Sequence, residues 1–300
     1  MEFEEFRIGA VTVLLGARGG KYPDGNALLV EGTHQSLVID PSLGLRARGS
    51  DPARVDRVLN SHCHEDHVAG NSLYPDVPWH LHEADLHAIQ SVDAMLGIYG
   101  LSEPAATAFR RLLVETFHFT PRMDAVPFKD GDVFDLGGVR VRTVHAPGHT
   151  PGHCVFHIEQ PDDLLFLADI DFSGFGPYYG DVESNLDDFE RSLAVVRKIE
   201  ASGYVTSHKP MLIRERAEFL ERIDRYAAVI ADRDRRLLEY LSEPHTMDEI
   251  VAHRFIYRPE DEISYVDDAE RRHMRQHLER MLRDGRVREV APGRYLARAS

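Results

Sequence analysis

Apolar positions in the first 85 residues fall in short runs broken by glycine, proline and asparagine, the mark of strands joined by turns. FRIGAVTVLLGA, NALLVEG and QSLVIDPS read as the first strands, and RVDRVLNSH and VPWHLH as two more. From Glu83 to about Val126 the spacing turns helical, in EADLHAIQSVDAMLG and EPAATAFRRLLVETF, where Pro104 suits a first helical turn. Strands resume with DVFDLGGVRVRTVHAPG, HCVFHIEQ and DLLFLADI, with Gly-Gly and Pro-Asp-Asp as turns. Asp187 is placed to cap a helix through about Glu200, and GYVTSH is one more short strand. A long helix then runs from about Ile213 to Tyr240. TMDEIVAHR follows as a helix from a threonine cap, and DDAERRHMRQHLERMLRDG as a helix ending at Gly285. RVREVAPGRYLAR closes the chain as two short strands.

Strands and helices together predict an α/β (α+β) architecture. The last 70 residues, three helices and a terminal hairpin, resemble a winged-helix domain. Charge points to the same division. The chain holds 35 basic and 50 acidic side chains for a formal net charge of −15, but the segment beyond residue 230 is nearly balanced. The expected organisation is a catalytic domain over 1–228 and a winged-helix-like domain over 229–300. So acidic a surface repels phosphate backbones and disfavours generic nucleic-acid binding by the whole molecule. No apolar run approaches about 18 residues and the start is acidic, so neither a membrane span nor a signal peptide is expected. Two cysteines, Cys63 and Cys154, make no disulfide framework. A cytoplasmic protein is the expectation.

Seventeen histidines exceed what packing needs, and they concentrate. Directly after an apolar strand stands His62-Cys63-His64-Glu65-Asp66-His67. Buried imidazoles need partners and a lone buried carboxylate is costly, so this run is poorly explained by packing. Imidazoles with a carboxylate suit Zn²⁺ and other divalent transition metals. The spacing lets His62 and His64 reach one ion, with Asp66 and His67 available to a second. Downstream, His149 lies in the Gly/Pro-rich HAPGHTPGH, Asp169 ends the apolar LLFLAD and His208 ends GYVTSH. Asp171 competes with Asp169. His80, His82, His87, His145, His153 and His157 read as structural, and Cys63 as a small packed residue.

The series HCHEDH, Gly148-His149, Asp169 and His208 resembles the metallo-β-lactamase superfamily, of the glyoxalase II or lactamase-β-like type, over residues 1 to about 215. The resemblance implies an αββα sandwich with a metal site at one edge. It implies a first metal on His62, His64 and His149, a second on Asp66, His67 and His208, and Asp169 bridging both. Asp40 in VIDPS would orient a ligand histidine. The implied cofactor is two Zn²⁺ per chain, with Mn²⁺ or Fe²⁺ as alternatives. Two such ions share a water, lower its pKa and present hydroxide to a carbonyl or phosphorus, and Asp66 would both ligate and orient that nucleophile.

A small-molecule ester, thioester or lactone is the expected substrate. The helical region from Asp85 to Asp130 offers Met95, Tyr99, Phe117, His118 and Phe119 as walls. The loop Phe172–Gly180 offers Tyr178 and Tyr179 as donors to a developing oxyanion. Two alternatives stand beside this. One is a metal-dependent endoribonuclease or phosphodiesterase acting on single-stranded RNA, with Arg271, Arg272, Arg275 and Arg283 lining a phosphate path. The other is a mononuclear iron persulfide dioxygenase, which leaves the second position unused. HEDH is also similar to the β-CASP nucleases, whose extra domain needs a long insertion that this chain lacks. A homodimer is compatible with the sequence.

Overall fold

Period-two alternation sorts the strand residues onto two faces. In the computed structural model, which describes residues 4–48, 55–159, 161–209, 212–261 and 263–298, that sorting produces two facing sheets. The first has seven strands in chain order: β1 (Glu5–Ile8), β2 (Val11–Leu14), β3 (Ala27–Glu31), β4 (Ser36–Ile39), β5 (Arg57–Leu59), β6 (Trp79–His82) and β7 (Val126–Phe128). The second has six, β8 (Val133–Asp135), β9 (Arg140–His145), β10 (Cys154–Ile158), β11 (Leu164–Phe166), β12 (Gly203–Val205) and β13 (Leu212–Ile213), again neighbours in sequence order. Gln160, the expected end of the strand HCVFHIEQ, lies outside the described residues.

Val11, Val13, Leu28, Val30, Leu37 and Ile39 of the first sheet meet Val141, Phe156, Ile158, Leu164 and Phe166 of the second in one buried core. Each such side chain contributes about 1.5–3 kcal/mol relative to exposure. The alternate positions face outward. Val155, Leu165 and Tyr204 pack under two helices, α3 (Leu186–Val196) and α4 (Arg216–Tyr240). Leu81 packs with α1 (Val92–Tyr99) and α2 (Ala105–Glu115) on the other side. Helices therefore cover both outer faces, and the layers run αββα.

Several boundaries differ from the sequence reading. FRIGAVTVLLGA is a hairpin, because Gly9 turns at φ 55° and the Ala10 amide donates to the Asp162 carboxylate (2.9 Å). Ile213 belongs to an edge strand, so the long helix begins only at Arg216. Asn185, not Asp187, caps α3, accepting from the Asp188 amide (2.9 Å); Asp187 sits in the first turn and α3 stops at Val196.

Beyond α4, α5 (Met247–His253) opens on Thr246 with a complete capping box to Glu249. α6 (Val266–Arg283) follows, then a three-stranded sheet of β14 (His245–Thr246), β16 (Arg294–Ala297) and β15 (Val287–Ala291). Leu237, Leu241, Ile250, Phe255, Met274, Leu278 and Met281 form a separate core here. None of the described helices is long and apolar enough to cross a membrane.

Candidate metal centre

The histidines and carboxylates singled out above sit in loops that follow β5, β9, β11 and β12, at one edge of the sandwich. Glycine shapes one of these loops. Gly148 has φ 124°, and a side chain there would collide with the Phe189 backbone, so the turn presents His149 inward. A Cβ on Gly152 would stand 2.5 Å from the Asp85 carboxylate carbon. That buried carboxylate accepts from Cys63 N (3.1 Å), Thr150 Oγ1 (2.7 Å) and Gly152 N (2.6 Å), tying the HCHEDH loop to the HAPGHTPGH loop. Non-glycine residues in the left-handed region also cluster here: Asp40 (φ 46°), Ala168 (φ 47°) and Lys209 (φ 62°) flank or support the site.

Two groups of potential ligands result. His62, His64, His149 and Asp169 form one, and Asp66, His67 and His208 the other; within each, the ligand atoms lie within 4.8 Å of one another. Asp169 stands between them. Its Oδ2 faces Nε2 of His149 (3.1 Å) and His62 (3.9 Å), while its Oδ1 faces Nε2 of His67 (2.9 Å) and His208 (3.4 Å). Asp66 Oδ2 lies 3.3 Å from His208 Nε2 and 3.7 Å from His67 Nε2. Asp171 lines the adjacent cavity but belongs to neither group.

The outward nitrogens are all engaged. His67 Nδ1 meets Asp40 Oδ2 (2.9 Å). The same Asp40 oxygen accepts from Ser61 Oγ (2.5 Å), which therefore accepts from His62 Nδ1 (3.0 Å). His149 Nδ1 donates to the Tyr178 carbonyl (2.9 Å), and His208 Nδ1 to the carbonyls of Gly20 (2.8 Å) and Asp24 (3.1 Å). His64 is reversed: its Nε2 meets Asp181 Oδ2 (2.6 Å), leaving Nδ1 for the cluster. Fixing the proton on the outer nitrogen aims the inner lone pair at a common point.

Those inner atoms fit a divalent cation. With the ring protons used on the outer side, the buried inner atoms His62 Nε2, His67 Nε2, His149 Nε2 and Asp169 Oδ1 face one another as acceptors, His67 Nε2 and Asp169 Oδ1 at 2.9 Å, an arrangement costly unless something positive sits among them. The carboxylates say the same. Against burial, which would lower it, Asp169 and Asp66 raise the His208 pKa to about 10, and Asp181 raises that of His64 to about 9. His62 goes the other way, held well below its usual value by burial and by its histidine neighbours. His153 keeps a structural role: burial and His149 lower it to about 3, and its Nε2 accepts from the Asp169 amide (3.3 Å).

A cavity of about 580 Å³ opens beside the cluster. Of the five wall candidates in the helical region only Tyr99 lines it; Met95, Phe117 and Phe119 are buried in packing and His118 is exposed. Tyr178 lines it too, with its hydroxyl donating to Asp181 Oδ1 (3.0 Å). Tyr179 does not. Its hydroxyl lies between Arg233 Nη1 (2.8 Å) and His277 Nε2 (2.8 Å), directed into the C-terminal packing, so it offers no donor to the site. Other wall residues carried no sequence signal: Phe109 beside Tyr99, and Tyr257, Tyr265 and Ala269 from beyond residue 228. Glu65, buried at 4% exposure, reaches the same cavity and accepts from Tyr22 (2.8 Å) and Tyr99 hydroxyls.

Among curated proteins, the chain is 27% identical over 205 residues to the acyl-coenzyme A thioesterase MBLAC2 of Gallus gallus, spanning 62% of this chain and 71% of that protein. It is 30% identical over 178 residues to a hydroxyacylglutathione hydrolase of Methylococcus capsulatus, spanning 58% and 57%. An uncharacterised protein of Mycobacterium tuberculosis is 31% identical over 146 residues, and the match spans 45% of this chain and about three fifths (61%) of the relative. In structure, a metallo-beta-lactamase family protein from Thermus thermophilus superposes with a TM-score of 0.70 at 23% identity, covering 97% of this chain and 99% of that one. A beta-lactamase domain protein from Burkholderia ambifaria gives 0.68 at 20% identity, covering 98% and 94%. The family model of the metallo-beta-lactamase superfamily matches residues 22–208, which reach from the edge of the cavity to His208, the last of the candidate ligands. The chain belongs to the metallo-beta-lactamase superfamily.

Proposed function

We propose that this hydrolase carries two zinc ions per chain and cleaves a small acyl thioester or related ester. The observation that carries the reading is Asp169, whose two carboxylate oxygens each face a different ligand group. His62, His64 and His149 would hold one ion and Asp66, His67 and His208 the other, with Asp169 shared. Bound there, the ions would supply an activated water and polarise the substrate oxygen. The chain's own residues do the rest. Asp66, at the second group and on the cavity wall, is placed to orient the nucleophile. Tyr22, Tyr99, Phe109, Tyr178, Tyr257 and Tyr265 make a predominantly aromatic wall suited to an apolar acyl group. Lys21, Lys209 and Arg258 are exposed at the rim, a local cationic fringe on an acidic protein that favours a substrate with an anionic carrier. The thioesterase and the hydroxyacylglutathione hydrolase among the relatives accord with that class.

Residues 229–300 act in this reading as a winged-helix-like module whose role is to complete the cavity wall. The phosphate path needed for RNA is poorly provided. Arg271 pairs with Asp248, Arg283 with Asp187, and Arg272 donates to the carbonyls of Gly180 and Gly100. The test is a zinc-loaded panel of acyl-coenzyme A, S-acylglutathione, aryl ester and phosphodiester substrates. Chelator-sensitive, salt-indifferent thioester turnover is expected. Turnover confined to RNA or phosphodiesters and falling steeply with salt would overturn the reading.

A further inference from the structure

The loop that leaves Asp169 passes over the cluster and is gripped on its far side by the C-terminal helices. Arg233 of α4, 2% exposed, donates from Nη1 to the Pro177 carbonyl (2.6 Å) and from Nη2 to the Phe175 carbonyl (2.7 Å). Three residues of α6 take the next peptide groups. Arg272 donates to the Gly180 carbonyl, His273 Nε2 accepts from Tyr179 N (3.1 Å), and Gln276 Nε2 donates to the Tyr179 carbonyl (2.8 Å). Gly180 runs so close to the His273 ring that a side chain there would collide with it.

On its near side the same segment touches two ligands of the first group. The Tyr178 carbonyl accepts from His149 Nδ1 (2.9 Å), and Asp181 Oδ2 meets His64 Nε2 (2.6 Å). Ser184 secures the exit, donating to the His149 carbonyl (2.6 Å) while accepting from Asp181 N (3.1 Å). The imidazoles of the second group have their outer nitrogens elsewhere: His67 and His208 rest on Asp40, Gly20 and Asp24, all from the first sheet and its loops.

We propose that Arg233 and Gln276 are positioning residues that set the affinity of the first metal position alone, acting through the Phe175–Asp181 segment on His64 and His149. The C-terminal segment is then part of the metal site's support as well as a wall. Partners that orient a ligand are worth about 10–100-fold in metal affinity. This inference rests on the two-metal reading above, and the experiment separates the two.

Single-position backgrounds make the test. His208→Ala disables the second position and His149→Ala the first. Cobalt affinity is measured in each by chelator competition and visible absorption, with and without Gln276→Leu and, separately, Asp181→Asn. Gln276→Leu disturbs packing less than loss of the buried Arg233, and circular dichroism checks that each variant is folded. The expected result is a fall of about 10-fold or more in the His208→Ala background and no change in the His149→Ala background. Equal losses in both backgrounds would reduce these residues to general fold stabilisers and overturn the proposal, as would no loss in either. A wild-type chain that takes up two metals beside unaffected variants defeats this inference alone; one that takes up none defeats the two-metal reading and this inference together.

Discussion

At the proposed second metal position His67 leans on the Asp40 carboxylate and His208 on the carbonyls of Gly20 and Asp24, while at the proposed first His64 and His149 lean on Asp181 and the Tyr178 carbonyl. The second position is thus braced by the sheet and the loops nearest it in the first half of the chain. The first is braced by a loop that depends on helices up to a hundred residues further on; Tyr179 N and its acceptor His273 are 94 positions apart. His62, linked through Ser61 to Asp40, gives the first position a foot in the N-terminal sheet. The two ligand groups therefore draw their rigidity from different cores, and perturbing one core should disturb one group first.

The largest effect should come from the residue that stands between the two groups. In the two-metal proposal Asp169→Ala removes a ligand from both positions, and hydrolysis should drop by at least about 10³-fold, some 4 kcal/mol of transition-state stabilisation. Metal content should fall with it, measured by elemental analysis on folded protein; full metal retention would show that Asp169 is no ligand. Next, Asp40→Asn weakens the support of His62 and His67 together, so both positions should lose about 10–100-fold in metal affinity. Loss at one position only would break the symmetry that its shared oxygen implies.

Removing Arg233 comes third. Arg233→Met leaves the carbonyls of Phe175 and Pro177 and the Tyr179 hydroxyl short of a donor, and metal-free stability should fall by about 2–3 kcal/mol in urea unfolding. A variant as stable as wild type would mean that the loop does not need this anchor. The smallest effect concerns acid. Burial, with Arg233 nearby, holds the His273 pKa well below its usual value of 6.5, and its ring accepts the Tyr179 amide only when neutral. The unfolded chain takes that proton more readily than the folded one. This contribution is therefore complete above about pH 6.5 and lost as pH falls below it. Between pH 7.5 and 5.5 the difference in stability between wild type and His273→Asn should narrow by about 1 kcal/mol; a constant difference would show that His273 does not titrate on unfolding.

The candidate ligands of both groups were far more legible in the sequence than the support of the first group. HCHEDH packs four ligand candidates into six residues, and Asp40 follows a recognisable apolar strand, so chemistry and local structure coincide. Asp181 is 117 residues from His64 and sits in no motif. The Tyr178 contribution is a backbone carbonyl, which no side chain announces. Tyr178 and Tyr179 look alike in sequence, yet neighbouring side chains point apart, and a buried arginine on a distant helix claimed the second hydroxyl. The helix start at Thr246 was readable because its capping box is local, whereas at α3 the sequence offered Asp187 and the structure uses Asn185, two residues earlier. The start of α4 was not, because Ile213 looks helical until β12 offers it an edge to pair with.

Metal content per chain, measured by elemental analysis on protein purified without added metal, tests the two-position centre most directly. Two zinc ions, or two manganese, are expected. A single iron with the second position empty would contradict the binuclear hydrolase and turn attention to oxygen-dependent chemistry.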